Sequence, residues 1–120
     1  MPKQLAALDG TFRALADATR RAIVERLAAG PASVSELAAP FPHSLPAIHQ
    51  HLALLEDCGL VASTKAGRVR TCRLETAALD RIVEWVDARR ATWERRLDAL
   101  ARDLAGESPP RTRRAREERG

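Results

Sequence analysis

Ser44-Leu-Pro-Ala-Ile-His-Gln-His-Leu-Ala-Leu-Leu-Glu-Asp-Cys-Gly-Leu-Val61 runs directly into Ala62-Ser-Thr-Lys-Ala-Gly-Arg-Val-Arg-Thr-Cys-Arg-Leu74. The first stretch predicts a capped amphipathic helix. Ser44 supplies a hydroxyl to the free N–H groups, and Pro46 sits in the opening turn, where a missing donor costs nothing. At about 100° per residue, Ile48, Leu52 and Leu55 line one side, while Pro46, His49, Gln50 and Ala53 fall on the other. Gly59 stops the helix and Leu60-Val61 returns to the core. The second stretch predicts a ribbon, Val61 to Lys65 and Val69 to Leu74, turning at Ala66-Gly67-Arg68 and made basic by Lys65, Arg68, Arg70 and Arg73. A helix beside a basic ribbon is an arrangement that meets duplex DNA, the helix in the major groove and the ribbon on the flanking backbone.

Upstream, Leu5, Leu8, Phe12 and Leu15 have the spacing of one face of a first helix. Asp17 can cap a second, with Ala22, Ile23 and Leu27 inward and Gly30-Pro31 as its stop. Ser33 can cap a short third helix carrying Val34, Leu37 and Ala38, which Pro40 and Pro42 end. Downstream, Thr76 can cap a last helix in which Leu79, Val86, Trp93 and Leu100 recur every seven residues, beside Val83, Leu97 and Leu104. From Ala77 to Leu104 that helix would be roughly 40 Å long at 1.5 Å per residue. It outreaches the domain before it, so part of its apolar seam needs a second copy of itself. The expected domain is residues 1–106, a DNA-binding and dimerisation unit, followed by a disordered Arg-rich tail at 107–120.

Aromatics make up only 3% of a chain that is 45% hydrophobic, so the core must be Leu, Val, Ile and Ala, which suits helices better than a β-sandwich. Net charge is +4, but the last ten residues hold five Arg and two Glu, leaving only +1 elsewhere. Overall basicity is thus weak evidence, and the position of the charges matters more. No apolar run exceeds four residues, which excludes a transmembrane span or signal core. Two cysteines without a secretory signal imply reduced thiols and a cytoplasmic location. There is no Gly-rich phosphate loop, no paired carboxylates in an apolar setting and no Ser/His/Asp arrangement, so no enzyme and no cofactor are expected.

The order of these elements is a mainly α winged helix–turn–helix with a two-stranded β wing and a long C-terminal dimerisation helix. Phe12-Arg-Ala-Leu-Ala-Asp-Ala-Thr-Arg-Arg-Ala-Ile23, Val34-Ser-Glu-Leu-Ala38, Ser44 to Leu52, and Leu54-Leu-Glu-Asp-Cys-Gly-Leu-Val61 followed by Gly67-Arg68 resemble the ArsR family of bacterial repressors over roughly residues 8 to 100. The resemblance implies a dimer on a twofold-symmetric operator, repressing until a signal arrives. This sequence departs from the family at Ala18, where proline is frequent, and at His49, where serine is common. Its third helix has no cysteine pair and its last helix neither His nor Cys, so the resemblance carries DNA binding but not metal sensing.

Candidate DNA-binding residues are Ser44, Leu45, Pro46, His49, Gln50 and His51 on the helix, and Lys65, Arg68 and Arg70 on the ribbon. Gln pairs bidentately with adenine, His donates to guanine N7, and apolar side chains meet thymine methyls. The bland alternatives are a solvated helix face, a half-buried His51 and a sheet edge kept soluble by charge. Arg20 and Arg21 could reach phosphates or pair with Glu25. His49 and His51 point about 200° apart on a helix and cannot chelate one ion. Cys58 and Cys72 could approach in a redox switch or be structural thiols. Candidate dimer-interface residues are Leu8, Phe12, Leu79, Val83, Val86, Trp93, Leu97 and Leu100. Partners expected are double-stranded DNA, a second copy and an unknown small-molecule or redox effector. The rival reading is a winged-helix protein-interaction module without specific DNA binding.

Overall fold

The computed structural model describes residues 3–106. Five helices and three strands follow in the order α1 (Lys3–Leu15), α2 (Ala18–Ala28), β1 (Ala32–Ser33), α3 (Val34–Ala38), α4 (Leu45–Asp57), β2 (Val61–Ala66), β3 (Val69–Leu74) and α5 (Ala77–Leu104). The elements up to Ile82 form one compact unit, and the helical turns from Val83 form a second. The tail expected at 107–120 lies outside the described residues.

Helices begin after all four expected caps, Asp17, Ser33, Ser44 and Thr76, and the side-chain bond is recorded for the first three. The Asp17 carboxylate accepts the Arg20 N–H, and the Ser44 hydroxyl accepts the Ala47 N–H. Ser33 and Glu36 close a reciprocal capping box, each side chain accepting the other's backbone N–H, which is why a helix of five residues holds its place. Ile48, Leu52 and Leu55 are fully buried and pack with Ile23, Leu27, Leu37, Leu60, Val61 and Cys72 in one core. The inward face of α4 is therefore the seam on which the first unit is assembled, and its other face is free for other work.

The ribbon is an antiparallel hairpin in which Ala66 pairs with Val69 and Val61 with Leu74. Its two-residue turn, Gly67-Arg68, places Gly67 at φ +62°, a left-handed conformation that glycine adopts without strain. A third strand joins it. Ala32 and Ser33 pair with Cys72 and Thr71, giving the order β1-β3-β2, so β3 is central and the wing is anchored to the start of α3.

The first helix departs from expectation. Its buried face is Leu8, Thr11 and Ala14, while Phe12 is 40% exposed. Thr11 can be buried because its hydroxyl donates to the Ala7 carbonyl one turn back, at 3.0 Å. Leu5, grouped with them by spacing, lies outside the residues whose side chains are described. Leu8 is buried in its own chain and Leu79 partly so, against the core.

In the second unit the apolar residues of α5 lie open on the single chain: Val83, Val86, Trp93, Leu97, Leu100 and Leu104 are all exposed. Arg89 lies over the Trp85 ring and Arg96 over that of Trp93, at 5.1 and 6.0 Å from the ring centres. Each guanidinium meets one ring, and both indoles stay exposed, at 40% and 58%.

Candidate nucleic-acid interface

Pro46, His49 and Gln50 are exposed on the outward face of α4, with Ser44 and Leu45 exposed at its start. A cleft of about 260 Å³ runs between this face and the wing, with Leu45 and His49 on one wall and Arg68, Val69 and Arg70 on the other. Ser33 and Ser35 close its end. The fold thus brings helix and ribbon candidates, nineteen or more residues apart in sequence, into one concave surface. Ser35 and the exposed Val69 were not among the expected residues. The pairing of β1 with β3 carries Ser35 there, and a two-residue strand has no periodicity to detect, while Val69 stands between Arg68 and Arg70 on the hairpin itself.

The four basic residues of the ribbon divide into two pairs. Lys65 and Arg68 are exposed at its tip, with no ion-pair partner among the described residues. Arg70 and Arg73 are held: Arg70 pairs with Glu56 near the end of α4 and donates through Nε to Ser63 at 2.9 Å, while Arg73 bonds Glu75 and Thr64. Glu56 is the residue that sequence reading missed. Its pairing with Arg70, both side chains about 70% covered, ties the base of the wing to the helix.

His51 is turned away from His49. Its Nδ1 accepts from Arg20 Nη1 at 3.1 Å and lies 3.9 Å from the Asp17 carboxylate. Arg20 also donates to the Ala14 and Arg13 carbonyls, and Arg21 donates to Leu15, so both arginines serve the free C-terminal carbonyls of α1. This is neither of the roles expected for them. The Arg20 backbone N–H, aided by the Arg20 guanidinium, holds the Asp17 carboxyl below its ordinary range. His43 stands by, its Nε2 3.2 Å from the Thr19 hydroxyl and its ring 6.1 Å from that of His51.

Cys58 ends α4 with its thiol on the Leu55 carbonyl, and Cys72 is fully buried in β3; both are free thiols. Burial pushes the Cys72 thiol up, away from the reactive thiolate. Iodoacetamide on the native protein should therefore label Cys58 and spare Cys72 until denaturant is added, as read by peptide mass spectrometry. Equal labelling rates would remove this account of the two thiols.

Three helices ending in an outward-facing α4, with a hairpin beside it, define a winged helix–turn–helix. The family described as helix–turn–helix domain matches residues 15–64. The HTH-type transcriptional regulator Rv2034 of Mycobacterium tuberculosis is 51% identical over 71 residues, which are 59% of this chain and 66% of that protein. The crystal structure of the ArsR family transcriptional regulator RHA00566 superposes with a TM-score of 0.74 at 45% identity, covering 78% of this chain and 97% of that one. A homodimeric winged helix–turn–helix DNA-binding domain, fragment 1–100 of Mb0332 from Mycobacterium bovis, superposes with a TM-score of 0.55 at 26% identity, covering 74% and 82%. The chain belongs to the ArsR family of transcriptional regulators. No helix among the described residues is long and apolar enough to cross a membrane.

Proposed function

We propose that this regulator is a homodimeric repressor that binds a palindromic operator and blocks transcription from it. The observation that carries the reading is the cleft between α4 and the wing, which gathers Leu45, His49, Arg68 and Arg70 on one surface. Its arrangement fits a helix tip entering a major groove, with Ser44, Leu45, Pro46, His49 and Gln50 toward the bases and Lys65 and Arg68 on flanking phosphates. Arg70 supports the wing through Glu56 and reaches DNA with its remaining donors. His51 acts behind the surface, positioning α4 through Arg20. The open apolar residues of α5, together with Phe12, serve as the dimer face, a reading supported by the homodimeric state of the Mycobacterium bovis domain. Two copies would then set their α4 helices about one DNA turn apart.

The test is a mobility shift on DNA upstream of the gene, run across a salt series with the full chain and with residues 1–106. Specific binding by both supports the reading; loss of all specific binding in the shortened chain favours the protein-interaction alternative. Arg68→Ala should weaken binding to every sequence and lower the salt slope by about 0.9 for each phosphate no longer neutralised, roughly twice that for a dimer. An unchanged slope would take Arg68 off the backbone.

A further inference from the structure

A second cleft, of about 440 Å³, opens where α1, the last turn of α4 and the first turns of α5 come together. Its volume is that of ordinary small-ligand sites. One wall is stripped of side chains: Ala6, Ala7 and Gly10 leave an apolar hollow that Cys58 faces, the Cys58 Cβ lying 3.6 Å from where a Cβ on Gly10 would stand. Against it the cleft collects three guanidiniums, Arg13, Arg20 and Arg81, and a single carboxylate, Asp57. Arg20 is already committed to the carbonyls of α1 and to His51. Arg81 is not. Its Nε is buried and has no hydrogen-bond partner among the described residues. Buried charged N–H groups almost always find an acceptor, because one left without is a standing cost.

We propose that this cleft binds a small organic acid, its carboxylate on Arg81 with Arg13 beside it and its compact apolar body in the hollow of Ala6, Ala7 and Gly10. The carboxylate accepts from the Arg81 guanidinium that lines the cleft, in the fork geometry that this group favours. Phe12, the α1 residue assigned to the dimer face, lies about 200° around the helix from Gly10, so a dimer made through it leaves the cleft open. The site also touches the C-terminal end of α4 directly and its middle through Arg20. Asp57, Cys58 and Gly59 form its exit, and Arg20, which lines the cleft, holds His51, the next residue after the DNA-facing His49 and Gln50. An acid that engages Arg81 and draws on Arg20 therefore shifts the helix that carries His49 and Gln50. This last step, unlike the site itself, rests on the DNA-binding function proposed above.

The experiment is calorimetric titration of the full chain with 1-naphthoate, alongside 1-naphthol (the body without the charge) and inorganic phosphate (a charge without the body). Saturable binding of naphthoate at one site per chain is expected, with both controls at least tenfold weaker. Arg81→Gln should weaken naphthoate at least tenfold by removing the charge, and Gly10→Val should do so by filling the hollow. Both variants should keep the thermal midpoint of the unliganded protein. Absence of saturable binding, equal binding of either control, or unchanged affinity in both variants would overturn the site. Mobility shifts with and without naphthoate should then differ at least tenfold in apparent affinity for wild type and not for Arg81→Gln. Binding without that difference would overturn the coupling alone, and failure to bind DNA in any condition would count against the function, not the site.

Discussion

A chain carrying Leu97→Asp and Leu100→Asp should fold as the wild type does and sediment as a monomer at micromolar concentration. Both leucines are about half exposed on the single chain, 44% and 53%, so the core of the first unit loses nothing with them. In a symmetric pair joined through α5 each substitution counts twice. Fully burying a leucine is worth about 1.5–3 kcal/mol, so covering the exposed half of four of them represents on the order of 3–6 kcal/mol. A micromolar dimer is held by only about 8 kcal/mol. The four new carboxylates, facing one another across the seam, add repulsion and desolvation cost to that loss. The consequence for DNA is larger than for shape. A dimer binds its second half-site at an effective concentration set by the first, so uncoupling the subunits should cost roughly 10²- to 10⁴-fold in operator affinity. Sedimentation velocity, circular dichroism and a mobility shift on one preparation decide it. A dimer that persists with both substitutions would move the interface away from these turns of α5.

Much of the architecture was written in local signals. Ser33, Asp17 and Ser44 begin helices because a short side-chain oxygen reaches an N–H two or three residues on, a contact that sequence spacing alone specifies. Gly67 marks the wing turn for a similarly local reason. What escaped were contacts made at a distance. The pairing of Ala32 with Cys72 spans forty residues, and two residues cannot show a strand's alternation. Glu56 meets Arg70 only because the hairpin folds back along α4, and nothing around Glu56 distinguishes it from the other acids on exposed helix faces. Arg20 and Arg21 looked like a basic patch at a helix start. Their partners are the carbonyls that end the previous helix, which the chain brings within reach by turning sharply at Ala16-Asp17. Thr11 displaced Phe12 from the buried face for the opposite reason, a hydroxyl hidden by a bond to its own helix.

The candidate site was legible to the same degree. Residues on the exposed face of α4 follow from a 3.6-residue period, and those at the wing tip from composition. The division of the basic residues into presented and restrained pairs did not follow from either. It matters because a guanidinium already spent on Glu56 has less to give a phosphate than one at a free tip. Substituting Arg70 therefore disturbs wing placement as well as charge, and Arg68 is the cleaner probe of the backbone contact.

Replacing His49 and Gln50 together with Ala should erase the difference between operator and random DNA while leaving the protein bound to both. Each good base contact discriminates by about 1–3 kcal/mol. Two residues in each of two half-sites could thus supply roughly 4–12 kcal/mol if each made one such contact. A typical specific complex is tighter than its non-specific counterpart by about 4–10 kcal/mol. The two ranges coincide, so these positions can hold nearly all of the sequence preference, and their loss should bring the specificity ratio close to one. Other properties should stay put. Both side chains are exposed, and alanine is the better helix former, so the thermal midpoint should not fall. Lys65 and Arg68 are untouched, so the salt slope should remain that of the wild type, in contrast to the Arg68→Ala variant, whose slope flattens. Competition shifts with operator and scrambled duplexes over a salt series separate these outcomes in one experiment. Retained preference for the operator would show that Ser44, Leu45 or the shape of the duplex carries the reading instead, and a collapse of all binding would mean that His49 and Gln50 hold the backbone rather than the bases.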